Sequence, residues 1–419
     1  MTPDQIAELR PRLGEFAADM LGCLARSDQR ATGELYLRGL LTDGRRKSMQ
    51  PMAERLGVDH QRLQQFVTSS TWDFTAVRRR LSSWAAQAIG PRAYVIDDTG
   101  FPKDGPASAC VAWQYSGTLG KTANCQIGVS VHAVNDTCSA AVDWRLFCPE
   151  SWDDKACDDP EQAEKVRRKR AESKVPDDVR HVEKWRLALD MLDEQTEWGS
   201  PRLPVVADAG YGDCTRFRLG VEERGLDYVV ALKAGTSAHP GEAEPVRPPR
   251  NGGRGRRPKP HYPKPASSLR EIAMAAGRDA YQEVAWRQGT RKTKGNPSAA
   301  MTSKFAVFVV RPANRDIPRA DDGTLPAKLL LVEWPDEANE PTDYWLSNLP
   351  ADTPIDQLVD LAKIRWRIEH DYRELKTGLG LDHFEGRSWT GWNRHVTLVA
   401  IAQAFCTMVR LDPKQDAPA

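Results

Sequence analysis

The sequence contains no run approaching the ~20 uncharged apolar residues that a helix needs to cross a bilayer. Its opening, MTPDQIAELRPRLGEF, is charged and amphipathic where a secretory leader would be apolar. A cytoplasmic protein with no membrane partner is expected. Cysteine is present but unpatterned: Cys23, Cys110, Cys125, Cys138, Cys148, Cys157, Cys214 and Cys406 include no Cys-x-x-Cys pair. That excludes a locally encoded zinc site or redox dithiol and leaves reduced packing residues. Nor does one sign of charge dominate, since 59 Lys and Arg face 58 Asp and Glu. Bulk charge therefore carries no information about nucleic acid, and local distribution must. There is no internal repeat, and His370, His383 and His395, though close in sequence, have no metal-ligand spacing.

What is present fits a protein of two to three domains, because 419 residues are read at roughly 150 per domain. The first ~85 residues have helical periodicity. Within residues 47–70, short helical patterns at 48–56 and 60–68 flank Gly57, Val58 and Asp59, the outline of a helix-turn-helix, which any short bihelical turn shares. After Pro91 the period changes. Strand-like runs at 93–96, 109–115, 125–134, 203–207 and 228–233 alternate with helical stretches at 181–194 and 215–224, which argues an α/β core, and residues 150–180 read as polar and charged. Residues 235–265 collapse into Pro, Gly and Arg, a linker or arm that cannot fold alone. There Arg254, Arg256, Arg257, Lys259 and Lys264 can track phosphates while Tyr262 stacks on a base, or form a solvated loop. Strands return at 305–311, 328–334 and 343–347, a long helix starts at Pro354, and the tail after Asp412 is expected to fray.

Two aspartate positions stand where strands stop: Asp97 or Asp98 after Tyr94-Val-Ile, and Asp208 after Pro204-Val-Val-Ala. Ligands of open α/β sheets gather at the carboxyl ends of strands, and hard cations such as Mg²⁺ take carboxylate oxygens. Each aspartate taken alone is also ordinary turn chemistry. The helix after Pro354 adds a third acid. Ile355, Leu358, Val359 and Ala362 form an apolar stripe that continues into Arg365, Glu369, Tyr372 and Lys376, so the periodicity predicts Glu369 inward and Glu374 outward. An inward carboxylate needs a metal ion or a cation, and a local Arg365–Glu369 pair is the plain alternative.

RWRIE at 365–369, followed by Lys376, resembles the Tyr-x2-Arg-x3-Glu-x6-Lys signature of DDE-type bacterial insertion-sequence transposases, with Ala362 standing in the Tyr position. A DDE superfamily endonuclease branch is similar over nearly the whole chain, through VIDDTGFPK (95–103), QYSGTLGK (114–121) running on to Asn124-Cys-Gln126, RLFCPESW (145–152), DAGYGD (208–213) and GLDHFEGR (380–387). The resemblance implies a ribonuclease-H-like α/β core with an N-terminal all-helical domain and a β-rich insertion. The expected boundaries are an N-terminal DNA-binding domain at 1–88, the first part of the core at 89–234, an insertion at 235–350, the C-terminal core at 351–411 and a tail at 412–419. It further implies Asp97, Asp208 and Glu369 as the catalytic acids. Asp98 stays open as the first acid or as a further metal ligand. Two Mg²⁺ ions, or Mn²⁺ in substitution, would support in-line phosphoryl transfer. Arg365, Lys376 and Trp366 would contact DNA, the partners being double-stranded transposon ends, target DNA and a second copy of the chain.

Overall fold

The computed structural model describes residues 3–249, 258–288 and 299–412. Along the chain come α1 (Pro3–Met20), α2 (Ser27–Leu41), α3 (Met49–Leu56), α4 (His60–Thr68) and α5 (Phe74–Ala88). There follow β1 (Ala93–Pro102), β2 (Ala112–Ser116), β3 (Lys121–Val134), β4 (Ser139–Leu146), α6 (Pro160–Glu172) and α7 (Lys184–Glu197). Next are β5 (Val205–Ala207), α8 (Ala209–Gly212), α9 (Thr215–Glu223), β6 (Tyr228–Leu232), β7 (Ser237–Pro240), β8 (Ser267–Ser268) and α10 (Leu269–Ala275). The chain continues through β9 (Gln282–Gln288), β10 (Ala300–Pro312), β11 (Lys328–Glu333), β12 (Asp343–Ser347) and α11 (Ile355–Lys363). It closes with α12 (Trp366–Arg373), a π-helical turn (Glu374–Gly378) and α13 (Trp389–Leu411). The fold is thus the expected mixed α/β, helical first and β-rich later. Packing divides it into two units, Met1–Arg202 with Trp366–Ala419, and Leu203–Arg365.

In the first unit β3 is the central strand. β1 runs antiparallel along one edge of it, while β2 and β4 share the other edge. From Cys125 onward every residue of β3 is buried, because helices cover the sheet. α13 is buried on nearly all sides and therefore shows no amphipathic stripe. Its Trp392, Val396, Val399 and Phe405 join one core with Leu13, Phe16, Tyr36, Leu37, Leu63 and Leu81 of the N-terminal helices. The guanidinium of Arg78 in α5 is sunk into the same region, where it donates to Trp144 O at 2.6 Å, Thr397 Oγ1 at 2.9 Å and Asn393 Oδ1 at 3.0 Å. It also pairs with Asp143 at 3.4 Å. No helix among the described residues is long and apolar enough to cross a membrane.

The two helices read around Gly57 to Asp59 are α3 and α4. Gly57 ends the first in the left-handed region at φ 66°, and Asp59 caps the second by accepting from Gln61 N. The stretch 150–180, read as polar, contains α6, which Asp159 caps and Pro160 starts. Only Ala163, Val166 and Arg170 are buried along it, too few to show a helical period. The helix expected from Pro354 is interrupted by a turn at Ile364 and Arg365, although Ile364 keeps right-handed helical torsions.

In the second unit β5 lies parallel to β6, and β6, β12, β11 and β10 follow as antiparallel neighbours, with β7 and β9 both on β10 and β8 on β7. Lys363 of α11 pairs with Glu333 and lies over the rings of Trp286, Phe305 and Trp345, 5.2, 5.5 and 5.2 Å from their centroids.

Candidate active site

Strand alternation separates the two acids that the sequence left open. Asp97 lies opposite Ser130 of β3 and Asp98 opposite Val129, so their side chains leave the sheet on opposite faces. Asp97 Oδ1 accepts from the Asp98 amide at 2.8 Å. The Asp98 carboxylate is held by Lys184 of α7, with Nζ 2.5 Å from Oδ2. The face carrying Asp97 also carries Ser130, and the Ser130 hydroxyl lies 2.7 Å from the Tyr372 hydroxyl of α12. The helix that bears Glu369 therefore packs on the Asp97 face.

Glu369 itself is exposed, and the inward orientation expected for it is corrected. The buried line runs Leu358, Leu361, Ile364, Ile368, Asp371 and Leu375 in steps of three and four, one position N-terminal to the stripe traced through Ala362, Arg365 and Glu369, so Glu369 falls on the exposed side. Glu374, expected outward, is partly buried and ion-paired with Arg410.

Asp208 lies in the second unit. It follows β5 and caps the short α8, with Oδ1 accepting from Gly210 N at 2.9 Å and Tyr211 N at 3.3 Å. The turn requires glycine, because a Cβ on Gly212 would stand 1.9 Å from Ala231 O. Arg365, in the same unit, brings Nη2 to 4.0 Å from Asp208 Oδ2. Capping and functional readings of Asp208 are thus compatible, since different oxygens serve them.

Lys376 sits in the π-turn, donates to Gly100 O at 2.8 Å and lies over the Phe101 ring at 5.8 Å, with burial pushing its pKa down. π-turns of this kind recur at functional sites. Trp366 is half-buried, edge-on to His370 with centroids 6.4 Å apart and the Arg367 guanidinium over its ring. Tyr262, read as a base-stacking ring, stacks instead on His239 at 4.0 Å, and its hydroxyl accepts from Leu325 N. Arg254, Arg256 and Arg257 lie outside the described residues.

One histidine does fall in a group with metal-ligand proximity that the sequence reading overlooked. Ligand atoms of His370, Asp371 and Glu374 lie within 4.8 Å of one another, and the adjacent and one-turn spacing is the signal that would have found them. Their oxygens are already engaged: Asp371 with His132 and Ser139, at 2.7 Å each, and Glu374 with Arg410. Asp98 is likewise engaged by Lys184. Asp97 and Glu369 in the first unit and Asp208 in the second keep solvent-accessible surface, and each carries the hard oxygen donors that Mg²⁺ takes.

A family model described as DDE superfamily endonuclease matches residues 19–293, about two thirds of the chain. The chain belongs to the DDE superfamily endonucleases. The matched span includes Asp97, Asp98 and Asp208 and stops short of Glu369. The chain is also similar to a probable transposase for insertion sequence element IS701 from Microchaete diplosiphon, 35% identical over 99 residues. That alignment covers 23% of this chain and 26% of the relative. Divalent metal ions serve this family generally, in keeping with the carboxylates above.

Proposed function

We propose that this endonuclease is a transposase that binds transposon ends and catalyses DNA cleavage and strand transfer through divalent ions held by Asp97, Asp208 and Glu369. The observation that carries the reading is the shared face of Asp97 and the Glu369 helix, linked through Ser130 and Tyr372. It also favours Asp97 over Asp98 as the first acid, because Asp98 faces Lys184. Two Mg²⁺ ions, or Mn²⁺ in their place, would supply neutralisation of charge on the scissile phosphate and activation of water or a 3′-hydroxyl. The chain's own residues supply positioning. Asp208 is oriented by the α8 amides, and Arg365 beside it is proposed to meet a DNA phosphate with a fork of donors. Lys376, fixed by Gly100 O, would place a point charge near the end of β1, and Trp366 is proposed to pack against a base. The helices α3 and α4, the segment containing Arg254, Arg256 and Arg257, and a second copy of the chain would complete the DNA complex in the cytoplasm.

The test mixes purified protein, Mg²⁺ and labelled inverted repeats taken from the flanks of the reading frame. Nicked ends and recombinant products are expected. Retention without nicking would mark a non-cleaving DNA-binding protein, and nicks without joined products a plain nuclease. Asp208→Asn is expected to abolish cutting while DNA binding persists; retained cutting would refute the site.

A further inference from the structure

The Ser130–Tyr372 link continues into a polar chain that the mechanism above does not use. His132 on β3 is fully buried and Asp371 on α12 is 3% exposed. Asp371 Oδ2 lies 2.7 Å from His132 Nδ1, and Oδ1 accepts from the Ser139 hydroxyl at 2.7 Å. His132 Nε2 lies 3.1 Å from Ser130 Oγ, and Ser130 Oγ lies 2.7 Å from the Tyr372 hydroxyl. These four side chains thus form one continuous hydrogen-bonded chain from Tyr372 through Ser130 and His132 to Asp371. A β-bulge interrupts the β3–β4 ladder between Val131 and His132, and such bulges re-aim side chains.

We propose that Asp371, His132, Ser130 and Tyr372 are positioning residues that fix the rotation of α12, and hence Glu369, relative to Asp97. The proposal rests on the metal-site reading above. Ser130 stands opposite Asp97 in the β1–β3 register, while Asp371 and Tyr372 follow Glu369 by two and three residues. The chain therefore joins the strand of the first acid to the helix of the third by directional bonds. Apolar packing would hold such a helix about as firmly, but it would tolerate rotation. At ~100° per residue, a small slip about the helix axis swings an exposed glutamate by several ångströms, and satisfied polar networks prevent this by specifying a single geometry.

The test is Mn²⁺ binding to the full chain, followed by electron paramagnetic resonance without DNA, beside end-DNA binding without metal and cleavage with metal. Tyr372→Phe and Ser130→Ala remove hydroxyls but keep the packing, so both should fold. Each is expected to weaken Mn²⁺ binding about 10-fold, the low end for outer-shell partners of metal ligands, and to slow cleavage at subsaturating metal. DNA binding should not change. Asp371→Asn, which can still accept from His132, is expected to stay near wild type, whereas Asp371→Ala is not. Unchanged Mn²⁺ affinity in both hydroxyl variants, with wild type binding normally, overturns the proposal alone. Equal weakening by His370→Ala also overturns it, since the His370, Asp371 and Glu374 group would then be taking the metal. Failure of wild type to bind Mn²⁺ overturns the metal-site reading and this inference together.

Discussion

His395 gives a pH dependence whose sign and size follow from its surroundings. The ring is fully buried, stacked on Phe384 with centroids 5.3 Å apart, between the Gly380 carbonyl, 3.0 Å from Nε2, and the Tyr36 hydroxyl, 2.9 Å from Nδ1. A carbonyl only accepts, so Nε2 carries the proton and Nδ1 accepts from Tyr36. A second proton on Nδ1 would place a desolvated charge against a hydroxyl already donating to it, and burial holds the pKa down at about 4. The unfolded chain binds that proton near 6.5. Between these values the unfolded state holds more protons than the folded one, so this contribution is complete above 6.5 and falls as the pH drops toward 4. From pH 7.5 to pH 5 the loss is about 2 kcal/mol, from 1.36 kcal/mol per pKa unit. Glu194 opposes it, because burial and Asp143 raise its carboxyl pKa to about 7, and its contribution is lost as pH rises. Comparison with His395→Gln, which keeps a donor for Gly380 and does not titrate, cancels that term. Urea unfolding at both pH values should show wild type losing about 2 kcal/mol more than the variant on acidification. Equal losses would refute the assigned tautomer and burial.

Arg78→Ala strips the buried Asp143 of a partner and is expected to cost about 3–5 kcal/mol by urea unfolding; a loss below 1 kcal/mol, the range of exposed ion pairs, would contradict the role assigned to it. Gly212→Ala drives a Cβ into Ala231 O and should reduce both stability and cleavage by displacing the turn that Asp208 caps; an unaltered cleavage rate would count against that turn's importance. Asp97→Asn is expected to abolish cleavage and Asp98→Asn to leave most of it, measured on nicked end DNA, with the reverse result making Asp98 the first acid.

Much of the architecture was legible because local signals agreed with it. Gly57 and Asp59 are the residues that end one helix and start the next. β5 is a short apolar run closed by Asp208, whereas β1, expected to stop at the acids, runs on through Asp97 and Asp98 to Pro102 because the pairing with β3 continues. Other parts were hidden for physical reasons. α13 is buried all round and lacks a period, while α6 buries too little to display one. The acids were candidates by type and by the resemblance, but the face of Glu369 was misplaced. Two adjacent lines along the helix, one through Leu361, Ile364 and Ile368 and one through Ala362, Arg365 and Glu369, start from the same apolar residues, and only packing decides which is buried. The choice between Asp97 and Asp98 needed the β3 register and Lys184, neither of which is written near them in the chain.

The shared burial of α13 constrains how this protein can be altered. The N-terminal helices and β4 both pack on that one apolar rod, so neither is expected to be a detachable module. A fragment ending near residue 88 would be left with Tyr36, Leu37 and Leu81 in water, and the remainder would present a bare hydrophobic trough; both are expected to aggregate. Retargeting by exchanging the front helices would therefore demand a matched replacement of the rod's facing side chains.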